Sequence, residues 1–183
     1  TYGLSVLWYN LNPMLYVLIV FGAILQTVGF FGLLKQITIK RWVSTEHWQL
    51  SLFILFILSA LIVKILLQLF SVIPAVSKWA FGYRPVVIAY LHLILLVIIS
   101  SFLLLFLIKK MRLMQEKRVQ NIIMVFLSFI FLNEVILALQ GILSFDYVII
   151  PKANELLFII ALGLLATAIY LWFVSVVMMK NLK

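Results

Sequence analysis

The chain has 183 residues, 67% of them hydrophobic, with a mean hydropathy of +1.28 and a formal net charge of +9. A water-soluble domain of that length cannot hide so much apolar surface, so the soluble globular classes are excluded. Cysteine is absent, which excludes disulfides and thiolate metal sites made by this chain alone.

Five apolar stretches follow one another, at Pro13–Leu34, Trp48–Val72, Pro85–Ile108, Asn121–Leu143 and Glu155–Met179. Each supplies about the 20 apolar residues that a helix needs to cross ~30 Å of hydrocarbon. Lipid offers the backbone no partners, so each stretch must pair its own N–H and C=O groups. The expected fold is therefore all-α, a transmembrane bundle of five spans in one domain. Asn12-Pro13 places a capping side chain before a proline at the first helical position, and Arg84-Pro85 opens the third span similarly. Ser44-Thr45-Glu46 and Asn154-Glu155 offer caps and first-turn carboxylates to the second and fifth spans. The segment Pro74–Arg84, with Trp79, Phe81 and Tyr83, is expected to lie along the membrane surface or to cover the bundle. Trp8 and Trp79 at one face, and Trp42, Trp48 and Trp172 towards the other, read as interface anchors.

The positive charges follow topology. Lys35, Lys40, Arg41, Lys109, Lys110, Arg112, Lys117, Arg118, Lys180 and Lys183 fall on one side, against Lys78, Arg84 and Lys152 on the other. The positive-inside rule puts Thr1 outside and Lys183 in the cytoplasm, as in a multi-pass protein of a bacterial inner membrane. These loops are thus accounted for by orientation and anionic lipid, and nucleic acid is rejected as a partner. The chain opens on Thr1 with neither an initiator methionine nor a signal peptide. With that end outside, a fragment preceded by an odd number of helices is expected. The partners expected are the lipid bilayer and the remaining N-terminal helices, or a second membrane subunit.

Small and polar residues recur at helical spacing: Gly22, Gln26 and Gly29; Ala60, Lys64, Gln68 and Ser71; Ala89, His92 and Ser100; Asn133, Glu134 and Gln140; Gly163, Thr167 and Tyr170. Most are packing positions. Lys64, His92 and Glu134 differ, because an ionisable side chain at mid-span costs about 2–3 kcal/mol or more unless it is partnered. All three lie roughly seven to nine residues from the outer end of their spans, or ~10–14 Å at 1.5 Å per residue. Lys64 and Glu134 read either as an ion pair, or as members of a proton or ion path that includes Gln68 and Asn133, or as groups that hold a cofactor's charges. His47, beside Glu46 and Trp48, reads as a solvated first-turn residue.

The stretch Val86-Val87-Ile88-Ala89-Tyr90-Leu91-His92-Leu93-Ile94-Leu95 resembles the tenth helix of the catalytic subunit of heme-copper oxidases and nitric oxide reductases. That helix reads Ala-His-x-His; its first histidine binds the high-spin heme iron and its second the low-spin heme iron. Ala89 matches the alanine, His92 the second histidine, and Tyr90 stands where the first histidine would be. Five spans with the motif on the third correspond to helices eight to twelve of that subunit. The chain is also similar to the C-terminal half of a group of bacterial membrane proteins whose histidine-rich segment, early in their chains, is absent here. The resemblance implies a respiratory or electron-transfer subunit of oxidoreductase type, with heme as cofactor, His92 as low-spin axial and metal ligand, and Tyr90 beside it. A copper-binding histidine pair is not found, and the resemblance places that pair ahead of this segment. The competing expectation is half of a transporter or proton path built on Lys64, His92 and Glu134.

Overall fold

The computed structural model describes residues 12–36, 48–110 and 116–181. The anchors Trp8 and Trp42, the Ser44-Thr45-Glu46 cap, His47 and the cations Lys40, Arg41, Arg112 and Lys183 lie outside the described residues. Helix α1 covers Pro13–Gln36, α2 Trp48–Phe70, α3 Pro74–Gly82, α4 Arg84–Lys110, α5 Lys117–Leu143 and α6 Ala153–Asn181. Among the described residues, five of these helices, all but the short α3, are long and apolar enough to cross a membrane. The five expected spans are therefore present, with ends displaced by a few residues.

Local chemistry explains the breaks. Asn12 Oδ1 accepts a hydrogen bond from the Met14 amide at 3.3 Å, satisfying one of the first-turn donors of α1. Pro74 starts α3 where its missing N–H removes no bond, and Tyr83, in extended conformation, ends α3 and begins α4. The aromatic connection expected over the membrane surface is thus a short helix. Asn154 does not cap α6, which starts one residue earlier; its Oδ1 accepts from Gln140 Nε2 at 3.5 Å. Lys152 enters that turn with φ 60°, and Tyr147 leaves a single 3-10 turn with φ 56°.

Spans consecutive in the chain run antiparallel, whereas α2 and α5 lie side by side in the same direction. Tyr16 Oη, near the start of α1, donates to the carbonyl of Val72 at 3.1 Å, just past the end of α2. Gln49 Nε2 on α2 donates to Gln120 Oε1 on α5 at 3.2 Å. The larger core lies towards the Trp48 end, where Phe53, Ile57, Leu105, Ile108, Ile123 and Leu171 close together from α2, α4, α5 and α6. A smaller cluster of Ala60, Val97 and Ile130 joins α2, α4 and α5 further along. In lipid such contacts are held by close packing, since tails are as apolar as leucine. Only 6% of the α1 span and 11% of the α6 span are buried. Both helices therefore give most of their surface to lipid or to helices beyond this bundle.

Helix α4 is not uniform. It is α-helical over Arg84–His92, π-helical over Leu93–Ser100 and α-helical again over Ser101–Lys110. The wider turn is visible in Ser100 Oγ, which donates to the Leu95 carbonyl five residues back at 2.8 Å. The expected alignment of Ala89, His92 and Ser100 assumed 3.6 residues per turn throughout, and it does not carry across this segment. The buried face continues instead as Val97, Ser101, Leu105 and Ile108.

Candidate functional site

The polar residues of the spans form two separate groups. The first joins α2 to α1. Lys64 is only 9% exposed and lies within the apolar span of α2. Its Nζ donates to Gln68 Oε1 at 2.5 Å, one helical turn further along the same face. Gln68 Nε2 in turn donates to Gln26 Oε1 on α1 at 2.6 Å. Both links follow from spacing: residues 64 and 68 share one stripe of α2, and that stripe faces Gln26. The glycines that share Gln26's stripe do not pack in the same way. Nothing lies within 4 Å of a β-carbon placed at Gly22 or Gly29.

Beside this chain of amides is a cleft of about 410 Å³ between α1, α2 and the π-helical part of α4. Gln26, Lys64, Leu61, Phe30, Ile94 and Ile98 are among the residues that line it. A larger groove, about 650 Å³, runs between α2 and α5. Its only polar lining is Ser59 and Ser128, whose hydroxyls both donate to their own helices, to Phe56 O and Met124 O. That groove offers a ligand no polar anchor.

The second group lies where α4 meets α5. His92 is the last α-helical residue before the π segment and is exposed on the bundle surface. Its Nδ1 is 3.0 Å from the carbonyl oxygen of Ile88. A carbonyl only accepts, so this hydrogen bond requires the proton on Nδ1. In the neutral ring Nε2 then carries the free lone pair. Tyr90 is half-buried and lies two residues away, about 200° around an α-helix. Tyr90 and His92 therefore do not converge on one group.

On α5, Asn133 is buried and Glu134 is half-buried. Asn133 Nδ2 and Glu134 Oε1 are both shielded and have no hydrogen-bond partner. His92 is the titratable neighbour that acts electrostatically on the Glu134 carboxyl. The Lys64–Glu134 ion pair considered from the sequence is not formed: the lysine is given to Gln68, and Glu134 Oε1 has no hydrogen-bond partner. Among the described residues, no cluster of three or more His, Cys, Asp or Glu side chains is placed to hold a metal ion. A metal here needs either one protein ligand or ligands from elsewhere.

Sequence reasoning identified Lys64, Gln68, His92, Asn133 and Glu134, but not the link from Gln68 to Gln26 or the π turn beside His92. The Gln26 link had a signal, a glutamine among small residues on an apolar helix. Compared with known protein families, curated proteins and solved structures, the chain matches none.

Proposed function

We propose that this chain is a multi-pass membrane module, N-terminus outside and C-terminus cytoplasmic, that contributes His92 as an axial ligand to a heme in a respiratory or redox subunit of a bacterial inner membrane. One observation carries the reading: the His92 imidazole is held through Nδ1 on the Ile88 carbonyl while its Nε2 remains available on an exposed face within a membrane span. An iron-binding imidazole is oriented in this way, because the bond to the second nitrogen fixes the tautomer and raises the basicity of the first. The π segment that begins at the next residue supports the reading, since such turns gather at functional positions.

The residues fit half of such a site. His92 supplies one ligand, and the other comes from the preceding helices of the same chain or from a partner subunit. Tyr90, on another side of α4, is outside the ligand set. A heme so bound supplies one-electron chemistry at its iron. The chain's own contribution is to hold the imidazole in one tautomer, with its second nitrogen turned outward from an apolar span. The orientation rests on the ends of the helices: Lys35, Lys109, Lys110, Lys117 and Arg118 collect at one end, and Lys78, Arg84 and Lys152 at the other. The test is a reduced-minus-oxidised spectrum of the full-length protein carrying His92→Ala. Loss of a low-spin b-type signal is expected, and an unchanged signal removes His92 from the ligand set.

A second reading is favoured by the shielded, unpartnered pair Asn133 Nδ2 and Glu134 Oε1. Unsatisfied polar atoms at that depth cost about 1–3 kcal/mol each, which a transported proton or ion would offset. On this reading Glu134, with His92 and Asn133 beside it, is the proton-carrying or ion-binding group of half a transporter. Glu134→Gln then abolishes proton flux in reconstituted vesicles, and undiminished flux excludes the reading.

A further inference from the structure

We infer that the cleft between α1, α2 and α4 binds a single-chain amphiphile whose carboxylate head is held by Lys64. Lys64 is nine-tenths buried in a membrane span, and its ammonium hydrogen-bonds to a neutral amide, Gln68, with no carboxylate among the described residues to balance its charge. An ammonium has three donors, of which Gln68 Oε1 takes one. Two remain, the number that the two oxygens of a carboxylate accept, and charge-assisted bonds of this kind are the strong ones.

The rest of the cleft is suited to a hydrocarbon chain. Phe30, Leu61, Ile65, Ile94 and Ile98 form its walls, and its volume of about 410 Å³ falls within the range of small-ligand sites. A phospholipid would have to bring a bulkier head and two acyl chains to this single cation. The cleft combines one charged side chain, Lys64, and the amide of Gln26 with otherwise apolar walls, the mixture that a fatty-acid-like ligand entering sideways from the bilayer needs. Gln68 is itself held by Gln26, so the acceptor that positions Nζ is braced across two helices. The π-helical turn of α4 supplies Ile94 and Ile98 to the opposite wall. None of this requires a heme at His92, and the inference stands or falls apart from that assignment.

The test uses the full-length protein in nanodiscs of neutral phosphatidylcholine, with a fluorescent probe displaced by oleate, by oleyl alcohol or by phosphatidylglycerol at neutral pH. Oleate is expected to bind at least about tenfold more tightly than oleyl alcohol, since only the carboxylate can pair with the lysine. Lys64→Met is expected to remove that preference and Lys64→Arg to keep most of it. Filling the cleft with Ile94→Trp is expected to weaken both single-chain ligands equally. Equal affinity for acid and alcohol on the unmodified protein overturns the inference without any variant needing to fold. So does displacement by phosphatidylglycerol with none by oleate.

Discussion

The ring of Phe129 on α5 lies against Gly163 on α6, so closely that a β-carbon at position 163 would sit 2.6 Å from Phe129 Cζ and 2.7 Å from Cε1. The hydrogen at Gly163 is what lets these two helices, the most extensively packed pair of the bundle, approach. A larger residue must push the ring aside, and overpacking of this kind costs about 1–3 kcal/mol. Gly163→Leu should lower the thermal unfolding midpoint in detergent by several degrees. Adding Phe129→Ala to it should recover most of the loss, as expected for two residues that share one space.

The Lys64–Gln68 bond has a distinct signature. Gln68→Leu leaves a buried ammonium without its acceptor and should destabilise the protein by about 1–3 kcal/mol. Replacing both, as Lys64→Met with Gln68→Leu, removes the charge together with its partner and should come close to the unmodified stability. Chemical denaturation of the three forms in one detergent checks the ordering. A double variant less stable than Gln68→Leu alone would contradict the pairing.

Outside the spans, Tyr83 offers a titration test. Its hydroxyl is pushed above the usual tyrosine value by a hydrogen bond to Tyr147, by desolvation, and by the negative charges that Tyr147 and Asp146 carry when ionised. A raised pKa on an acid means that folding favours the neutral form. Its contribution is therefore fully present below the ordinary tyrosine pKa and is lost as pH rises through the folded value. Tyr147→Phe should shift one phenol of the ultraviolet pH titration downward. A titration curve identical to that of the unmodified protein would contradict the contact.

The ligand assignment separates the two aromatic neighbours on α4. Tyr90→Phe should leave any heme spectrum unchanged, because Tyr90 and His92 lie on different sides of the helix. His92→Ala should remove it. If Tyr90→Phe changes the spectrum and His92→Ala does not, the two residues have exchanged roles.

Much of the fold was legible because lipid imposes a length and permits only internally paired backbone. The apolar runs ending near Phe70, Lys110 and Leu143 needed little else, and Asn12-Pro13 and Arg84-Pro85 marked the starts of α1 and α4. The π turn was not legible. Leu93–Ser100 reads LILLVIIS, almost uniformly apolar, so no polar stripe records whether the turn holds 3.6 residues or more. The site was half legible for a similar reason. Charge alone suggested Lys64 with Glu134, whereas the i, i+4 spacing to Gln68 was nearer and sterically simpler. Depth along the span could not tell which side of α4 each group would face.

Because the chain has no cysteine, single introduced cysteines report cleanly on the arrangement that underlies both the His92 and Lys64 readings. Cysteines placed at Lys78, Asp146, Lys110 and Arg118 can be challenged in intact cells with a membrane-impermeant maleimide. The account predicts labelling from outside at 78 and 146, and labelling at 110 and 118 only after the membrane is opened. Labelling of all four in intact cells, or of 110 and 118 alone, would contradict five helices crossing one bilayer in this orientation.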